Sequence, residues 1–344
     1  MSQQKNLEKK SYLDLAPPEI EELISEMGES SFRAKQIKNW VYDHCVVSWN
    51  EMENLPQRLR VNLDKTIPLH SLKIIKSSGA ETTRKYLFET SDGHGIESVL
   101  MRDKKRTTVC ISSQVGCAVD CKFCATASMG FIKNLRASEI VDQVIQLQSQ
   151  SDSRITNVVF MGMGEPFLNY NNVMEAAKIL NQTMGFGARR ITISTAGISS
   201  KIRQMADEDL KYKLAISLNG TEEKNRNAIM PLTKTHSLKS LVESAHYYYN
   251  KMHRFITFEY VLLKGVNDSP EDGNQLIDLL RLLPCKVNVI PYNEIGGDYS
   301  RPTEDTIHIF LKILKDAPFT VTVRWSKGTD IDAGCGQLAV KDLT

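Results

Sequence analysis

Gln114-Val115-Gly116-Cys117-Ala118-Val119-Asp120-Cys121-Lys122-Phe123-Cys124 is the stretch on which the fold turns. Its cysteines follow a three-then-two spacing, with an aromatic residue before the last. Thiolates this close in sequence can converge on one face of a short loop, ligate three irons of a cubane and leave the fourth without a protein ligand. Cysteine thiolates are the usual ligands of such clusters, and an open coordination position is what a catalytic metal site needs. A structural zinc site wants four ligands, usually from two paired arms. No second pair and no nearby histidine supplies the fourth here.

Downstream of this loop, strand and helix alternate. Strand-like runs occupy 108–112, 155–161, 190–194, 214–218, 255–262 and 287–290. Helical periodicity fills 137–148, 172–183, 199–206, 238–250, 270–283 and 305–315, and 319–325 adds a final strand. That rhythm predicts an α/β fold with a parallel sheet of βα units. Six units imply a partial (β/α)6 TIM-like barrel rather than a closed eight-fold one.

Upstream, residues 1–10 are polar and read as disordered. Pro17-Pro18 opens a helix with Ile20, Leu23, Ile24 and Met27 on one face, ending at Gly28. A second helix carries Phe32, Ile37, Trp40 and Val41, and a third helical stretch runs from Trp49 to Leu63 with Pro56 at a helix start. Residues 1–70 thus form a small helical accessory domain, and its basic face suits RNA contact. In 71–105 the pattern becomes alternation, with strands 85–89 and 96–100 around Asp92-Gly93, a linking β-hairpin that carries Glu97. The core then spans 106–344.

Composition narrows the class. With 344 residues, 41% hydrophobic and 24% charged, the chain is ordinary for a globular protein and long enough for one large and one accessory domain. No apolar run approaches the roughly 20 residues of a membrane span. The start is no signal peptide, and seven scattered cysteines make no disulfide framework. These features read as cytoplasmic, with nothing that demands more than a monomer. A net charge of +2 neither demands nor excludes a nucleic-acid partner.

In a βα barrel, chemistry gathers at the C-terminal ends of the strands, and the unusual polar stretches fall there. Gly162-Met163-Gly164-Glu165-Pro166 follows the second strand, where glycine lets backbone approach a ligand. Gly164 and Glu165 are candidates for an amino group. Ser194 ends the third strand, Ser217-Leu218-Asn219 ends the fourth, and Asn293 follows the sixth. Two further cysteines stand apart from the loop. Cys110 lies on the first strand; Cys335 lies in Gly334-Cys335-Gly336, expected to be a mobile, accessible loop suited to a reactive thiol. Cys45 and Cys285 sit on apolar-patterned segments and read as buried small hydrophobes.

The cysteine spacing resembles that of the radical S-adenosylmethionine (SAM) enzymes. Cys110-Ile111-Ser112-Ser113-Gln114-Val115-Gly116-Cys117 together with Cys335-Gly336-Gln337-Leu338 resembles the RlmN/Cfr family of radical SAM RNA methyltransferases over nearly the whole chain. Gly162-Met163-Gly164-Glu165-Pro166-Phe167-Leu168-Asn169, Val115 and Pro291 resemble the RlmN branch. Asn219, Tyr292, Glu294 and Gly334 depart from residues common in the family. The resemblance implies one [4Fe-4S] cluster on Cys117, Cys121 and Cys124. It also implies SAM, two molecules per turnover, held by Gly164, Glu165, Ser194, Ser217, Leu218, Asn219 and Asn293. The substrates implied are 23S rRNA and tRNA, with a flavodoxin or ferredoxin as electron donor.

The implied reaction is methylation of adenine C2, a carbon too electron-poor to attack a sulfonium methyl. One SAM methylates Cys335. A second yields a deoxyadenosyl radical that takes hydrogen from that methyl, and the carbon radical adds to C2. Glu97 then accepts the C2 proton, and Cys110 releases the product by attacking the Cys335 sulfur to form a transient disulfide. A Cfr-like C8 methyltransferase is the alternative within the family. A non-catalytic iron–sulfur RNA-binding protein is the alternative outside it, and it leaves Cys110 and Cys335 without a purpose. RNA contact is expected from the helical unit and from Lys104, Lys105, Arg106, Arg189 and Arg190 at the barrel mouth.

Overall fold

The computed structural model describes residues 10–104 and 106–340; residues 1–9, Lys105 and residues 341–344 lie outside that description. Three helices come first: α1 (Pro17–Glu26), α2 (Phe32–Tyr42) and α3 (Gln57–Thr66). They close over Ile24, Ile37, Val41, Leu59 and Leu63, all buried. Trp49 completes this small core. Its ring meets Tyr12 edge-on at 5.6 Å, and its indole N–H donates to the Ile67 carbonyl at 3.0 Å.

The linking segment holds three strands where two were expected. β1 (Leu72–Ala80), β2 (Thr83–Thr90) and β3 (Gly95–Asp103) form an antiparallel meander. Gly93 at φ +84° makes the anticipated β2–β3 turn. β3 pairs antiparallel with β4 (Arg106–Cys110), so the meander continues the main sheet instead of standing apart.

After β4, a short ribbon of β5 (Gln114–Gly116) and β6 (Phe131–Asn134) brackets the cluster loop. The parallel sheet resumes with β7 (Asn157–Phe160), β8 (Ile191–Thr195) and β9 (Lys213–Ser217). β10 (Ile256–Leu262), β11 (Cys285–Pro291) and β12 (Thr320–Val323) complete it. The sheet order β1-β2-β3-β4-β7-β8-β9-β10-β11-β12 leaves β1 and β12 as edges, so this is a partial barrel, as the six βα units implied.

Helices α4 (Ala137–Ser149), α5 (Tyr170–Gln182), α6 (Ser199–Asp207), α7 (Glu223–Ile229) and α8 (Leu238–Met252) make the crossovers as far as β10. α9 (Pro270–Leu280) and α10 (Glu304–Ile313) make the last two. α4 is buried over nearly its full length, polar residues included. Asp142 accepts from the Ser71 and Leu72 N–H groups at 2.8 and 2.9 Å, and it pairs with His70 Nδ1 at 2.6 Å. Gln143 Oε1 accepts from Ser98 and from the Ser112 N–H, which ties β3 to the chain just after β4. Each of these groups would be costly to bury unpaired, so the polar row fixes the meander against the barrel.

Side chains alternate along each strand, and the inward set forms two tiers. Near the strand starts it is polar: Thr108, Asn157, Thr192, Thr257, Asn288 and Thr322. Toward the strand ends come Met161, Ser194, Ser217, Val261 and Ile290.

The tail beyond β12 folds back across the open seam. Lys327 pairs with Asp103 at 3.6 Å, Lys85 Nζ donates to the Asp332 carbonyl at 3.4 Å, and the Ala339 N–H donates to Glu97 Oε2 at 3.1 Å. Cys335 is carried on this tail.

Candidate active site

Gly116 turns the chain into the cluster loop at φ +72°, where a Cβ would sit 1.7 Å from the Gly130 carbonyl. Only glycine allows the Cys117 N–H to donate to that oxygen at 2.9 Å. The Lys122 N–H reaches the Ile229 carbonyl at 2.9 Å, and the Ala125 N–H reaches that of Gly336 at 2.7 Å. Beneath the loop, Val119 and Phe123 pack with Ala196, Ile229, Met230, Leu263 and Tyr292. These contacts help to set the loop's shape.

Cys117, Cys121 and Cys124 line one cavity together with Gly164, Glu165, Ser194, Ser217 and Asn219. Among the described residues no three His, Cys, Asp or Glu groups close tightly enough to hold a single metal ion. A cubane spreads its thiolates over separate irons, so three cysteines on one cavity wall and no fourth suit it. Burial pushes the Cys117 thiol up to about 12 and Cys121 well above the usual range. Metal ligation is what would deprotonate them.

Glu165 is buried at the cavity wall. Its Oε1 accepts from the Phe167 N–H at 2.9 Å and its Oε2 from the Ala196 N–H at 2.6 Å. Burial raises it to about 7 despite those donors, so a cationic amino group placed beside it would hold it ionised. Gly164, at φ +96°, lies so near Gln114 that a Cβ would come within 2.5 Å of its side chain. Asn219 holds its position through Oδ1, which accepts from the Val261 N–H at 2.9 Å.

Three expected site residues stand elsewhere. Leu218 does not reach the cavity; its N–H donates to the Glu259 carbonyl and its own carbonyl accepts from Arg226 Nε. Asn293 Nδ2 donates to Ser326 Oγ at 2.7 Å and to the Cys335 carbonyl at 2.9 Å, so its amide anchors the tail. Glu97 is buried, with Oε1 on Lys85 at 2.9 Å and Oε2 on the Ala339 N–H, outside the cavity wall.

The expected mobility of the Cys335 loop is also corrected. Besides Asn293, the Gly334 N–H donates to Gln337 Oε1 at 2.9 Å, and Gln337 Nε2 donates to the Glu294 carbonyl at 3.1 Å. Thr126 Oγ1 donates to the Leu338 carbonyl at 2.6 Å. The loop is fixed, with Cys335 facing both inward tiers. Cys110 is buried beside it. Burial, then the neighbouring Cys335, push the Cys110 thiol up to about 12. No disulfide joins them.

The sequence reading missed Arg324, Glu259 and Arg226. Arg324 and Glu259 line the cavity next to Cys335. Burial pushes the Arg324 guanidinium down, but Cys335, Glu259 and Cys110 together raise it above its usual value. Glu259 carried a usable signal, a lone carboxylate inside the apolar run Ile256–Leu262. Arg226, fully buried, ties the β8 and β9 ends by donating to the Ala196 carbonyl at 2.6 Å and to that of Ser217 at 3.3 Å.

A three-cysteine loop over a partial βα barrel, with a buried carboxylate one strand on, fits the radical SAM class. The Radical SAM superfamily model matches residues 111–278, and the ribosomal RNA large subunit methyltransferase N-terminal domain matches 11–68. A dual-specificity RNA methyltransferase RlmN of Syntrophobacter fumaroxidans is 44% identical over 95% of this chain and 97% of its own. An RlmN relative of Dictyoglomus thermophilum is 46% identical over 93% and 94%. The crystal structure of a radical SAM methyltransferase from Sphaerobacter thermophilus superposes with a TM-score of 0.90 at 42% identity, covering 95% of this chain and 98% of that one. The chain belongs to the RlmN family of radical SAM methyltransferases.

Proposed function

We propose that this chain methylates C2 of an adenine in 23S rRNA and in the tRNA anticodon loop, using two SAM molecules per turnover. The observation that carries the reading is the place of Cys335, at the junction of the three-cysteine cavity and the barrel interior with Cys110 beside it. Cys117, Cys121 and Cys124 would hold a [4Fe-4S] cluster, which would supply a one-electron route from SAM to a carbon radical. Gly164, Glu165, Ser194, Ser217 and Asn219, which line the same cavity, would hold SAM.

Cys335 accepts the methyl group and presents it as the carbon that bonds to C2. Arg324 favours the thiolate forms of both cysteines. Once the C2 adduct had lost its proton, and one electron to the one-electron route that the cluster would supply, Cys110 would attack the Cys335 sulfur, forming an S–S bond as the sulfur–carbon bond breaks and the product carbon takes up a proton. Glu97 holds the tail through Ala339 and pairs with Lys85; as the carboxylate that accepts the C2 proton it must first be released by the Ala339 N–H, with the tail moving to bring it to the base. The chain works as a cytoplasmic monomer with electrons from a flavodoxin or ferredoxin. Among the described residues, no helix is long and apolar enough to cross a membrane.

Nucleoside mass spectrometry tests this. Protein-free rRNA and bulk tRNA are incubated anaerobically with reconstituted enzyme, SAM and reductant. 2-Methyladenosine is expected from both RNAs. 8-Methyladenosine, or neither product with SAM still cleaved, refutes the C2 assignment.

A further inference from the structure

The barrel interior holds a second cavity of about 700 Å³ that starts at the N-terminal ends of the strands and ends at Cys335. It meets the three-cysteine cavity at Met161, Glu259, Arg324 and Cys335. Its wall is the polar tier of threonines and asparagines, and its volume exceeds that of a purine nucleoside. Such a lining is unusual for a barrel that only needs filling, since small barrels are packed with branched apolar side chains.

Its rim is cationic. Arg106 and Lys213 line it where β4 and β9 begin. Lys286 and Arg190 lie two residues before the inward Asn288 and Thr192, on the same inward parity, and Arg254 precedes β10. None of these five pairs with a carboxylate among the described residues, although Arg190 donates to Asn157 Oδ1 at 3.3 Å. Burial and the charges of the other four hold Lys213 below its usual value. The carboxylate at this rim, Asp103, is paired with Lys327. Self-repelling cations left unneutralised around a cavity mouth suit a polyanion.

At the inner end stands Glu259. It is 6% exposed, Oε1 accepts from Asn288 Nδ2 at 2.9 Å, and Oε2 is buried without a partner among the described residues. An orphaned acceptor beside a reactive thiol asks for a donor from a ligand.

We propose that the target adenine reaches Cys335 from the N-terminal end of the barrel, with flanking RNA phosphates on Arg106, Arg190, Lys213, Arg254 and Lys286 and its exocyclic amine on Glu259 Oε2. SAM and RNA then approach Cys335 from opposite tiers, so a bound nucleotide need not displace the cluster loop. A base must leave its stack to enter, so the substrate is a single-stranded or flipped adenine. This deepens the methyltransferase reading and rests on it.

The test is RNA affinity of the full-length enzyme for an anticodon stem-loop across a salt series. Lys213→Glu with Arg254→Glu is compared with Lys264→Glu, a reversal on the loop following the C-terminal end of β10. The rim pair should weaken binding by at least about tenfold and lower the salt slope by about 1 per cation. Lys264→Glu should change affinity less than about twofold. Unchanged melting temperatures show that the variants are folded; should the double reversal not fold, Lys213→Ala is measured instead. The opposite pattern, or no loss from the rim, overturns the entrance. Glu259 is tested with stem-loops carrying adenine or purine at the target. Wild type should prefer adenine by at least about tenfold, and Glu259→Leu, which has no acceptor, should lose that preference. Preference retained in the variant overturns the contact. Wild-type enzyme making no 2-methyladenosine at all would instead refute the underlying reading.

Discussion

Asn293 Nδ2 donates to the carbonyl of Cys335 at 2.9 Å, so the residue just beyond the last inner strand holds the thiol that faces both cavities. The same amide bonds Ser326 at the start of the tail. Its position after β11 invites a different reading, an adenosine contact, and the two separate by measurement. Asn293→Ala leaves the Cys335 carbonyl without this donor, a loss worth about 1–3 kcal/mol for a buried group. Turnover is expected to fall at least about tenfold from a misplaced thiol, with SAM affinity by calorimetry unchanged. A matching loss of SAM affinity would return Asn293 to the adenosine site.

Glu97 gives a pH signature. Burial raises its carboxyl above the usual range, with Lys85 and the Ala339 N–H pulling the other way. A proton acceptor must be ionised, so single-turnover methylation should be low at acid pH and rise through this raised pKa. Glu97→Gln keeps the size of the side chain but accepts no proton, and it should remove the acid limb together with most of the rate. An acid limb that persists in Glu97→Gln assigns the titration to another group.

Much of this architecture is legible in the sequence because strand runs such as Phe255–Leu262 and helices such as α8 carry long apolar periods. The cluster loop is legible through spacing alone. β1 is not. It is an edge strand whose Lys, Ser and Gly residues are mostly exposed, so it lacks the alternation that a buried face imposes. The polar row on α4 is hidden for the opposite reason, since Asp142 and Gln143 look like a solvated face until the meander is laid on them. Cys335 shows a further limit. Flanking glycines suggest freedom, yet the Ala125 N–H and the Asn293 side-chain amide, far away in sequence, donate to the loop's carbonyls and remove it. Long-range hydrogen bonds leave no local trace.

Gly116 is the most exacting position in the cluster loop. An alanine Cβ would meet backbone, the Gly130 carbonyl, at 1.7 Å, and φ +72° is strained for any L side chain. Gly116→Ala should displace Cys117 from the cavity wall. Iron per chain after reconstitution, and absorption near 400 nm, should fall by at least about half if the open-iron site needs all three thiolates. Full iron loading would show that the ribbon of β5 and β6 can shift.

Stability depends on pH at the joint between the meander and α4. Burial pushes His70 down, but the Asp142 carboxylate and its hydrogen bond, helped by the Val46 and Val47 backbone, raise it overall. A raised histidine pKa contributes stability that is fully present below the unfolded value near 6.5 and is lost as pH rises through the folded value. The melting temperature should therefore decline with pH across that window, and His70→Asn should flatten the decline. Asp142→Ala removes the acceptor for His70 and for the Ser71 and Leu72 N–H groups at once. That should cost about 3–5 kcal/mol by chemical denaturation. A loss below about 1 kcal/mol would mean that water replaces the carboxylate, and that the meander is held by its strand pairing to β4 rather than by α4.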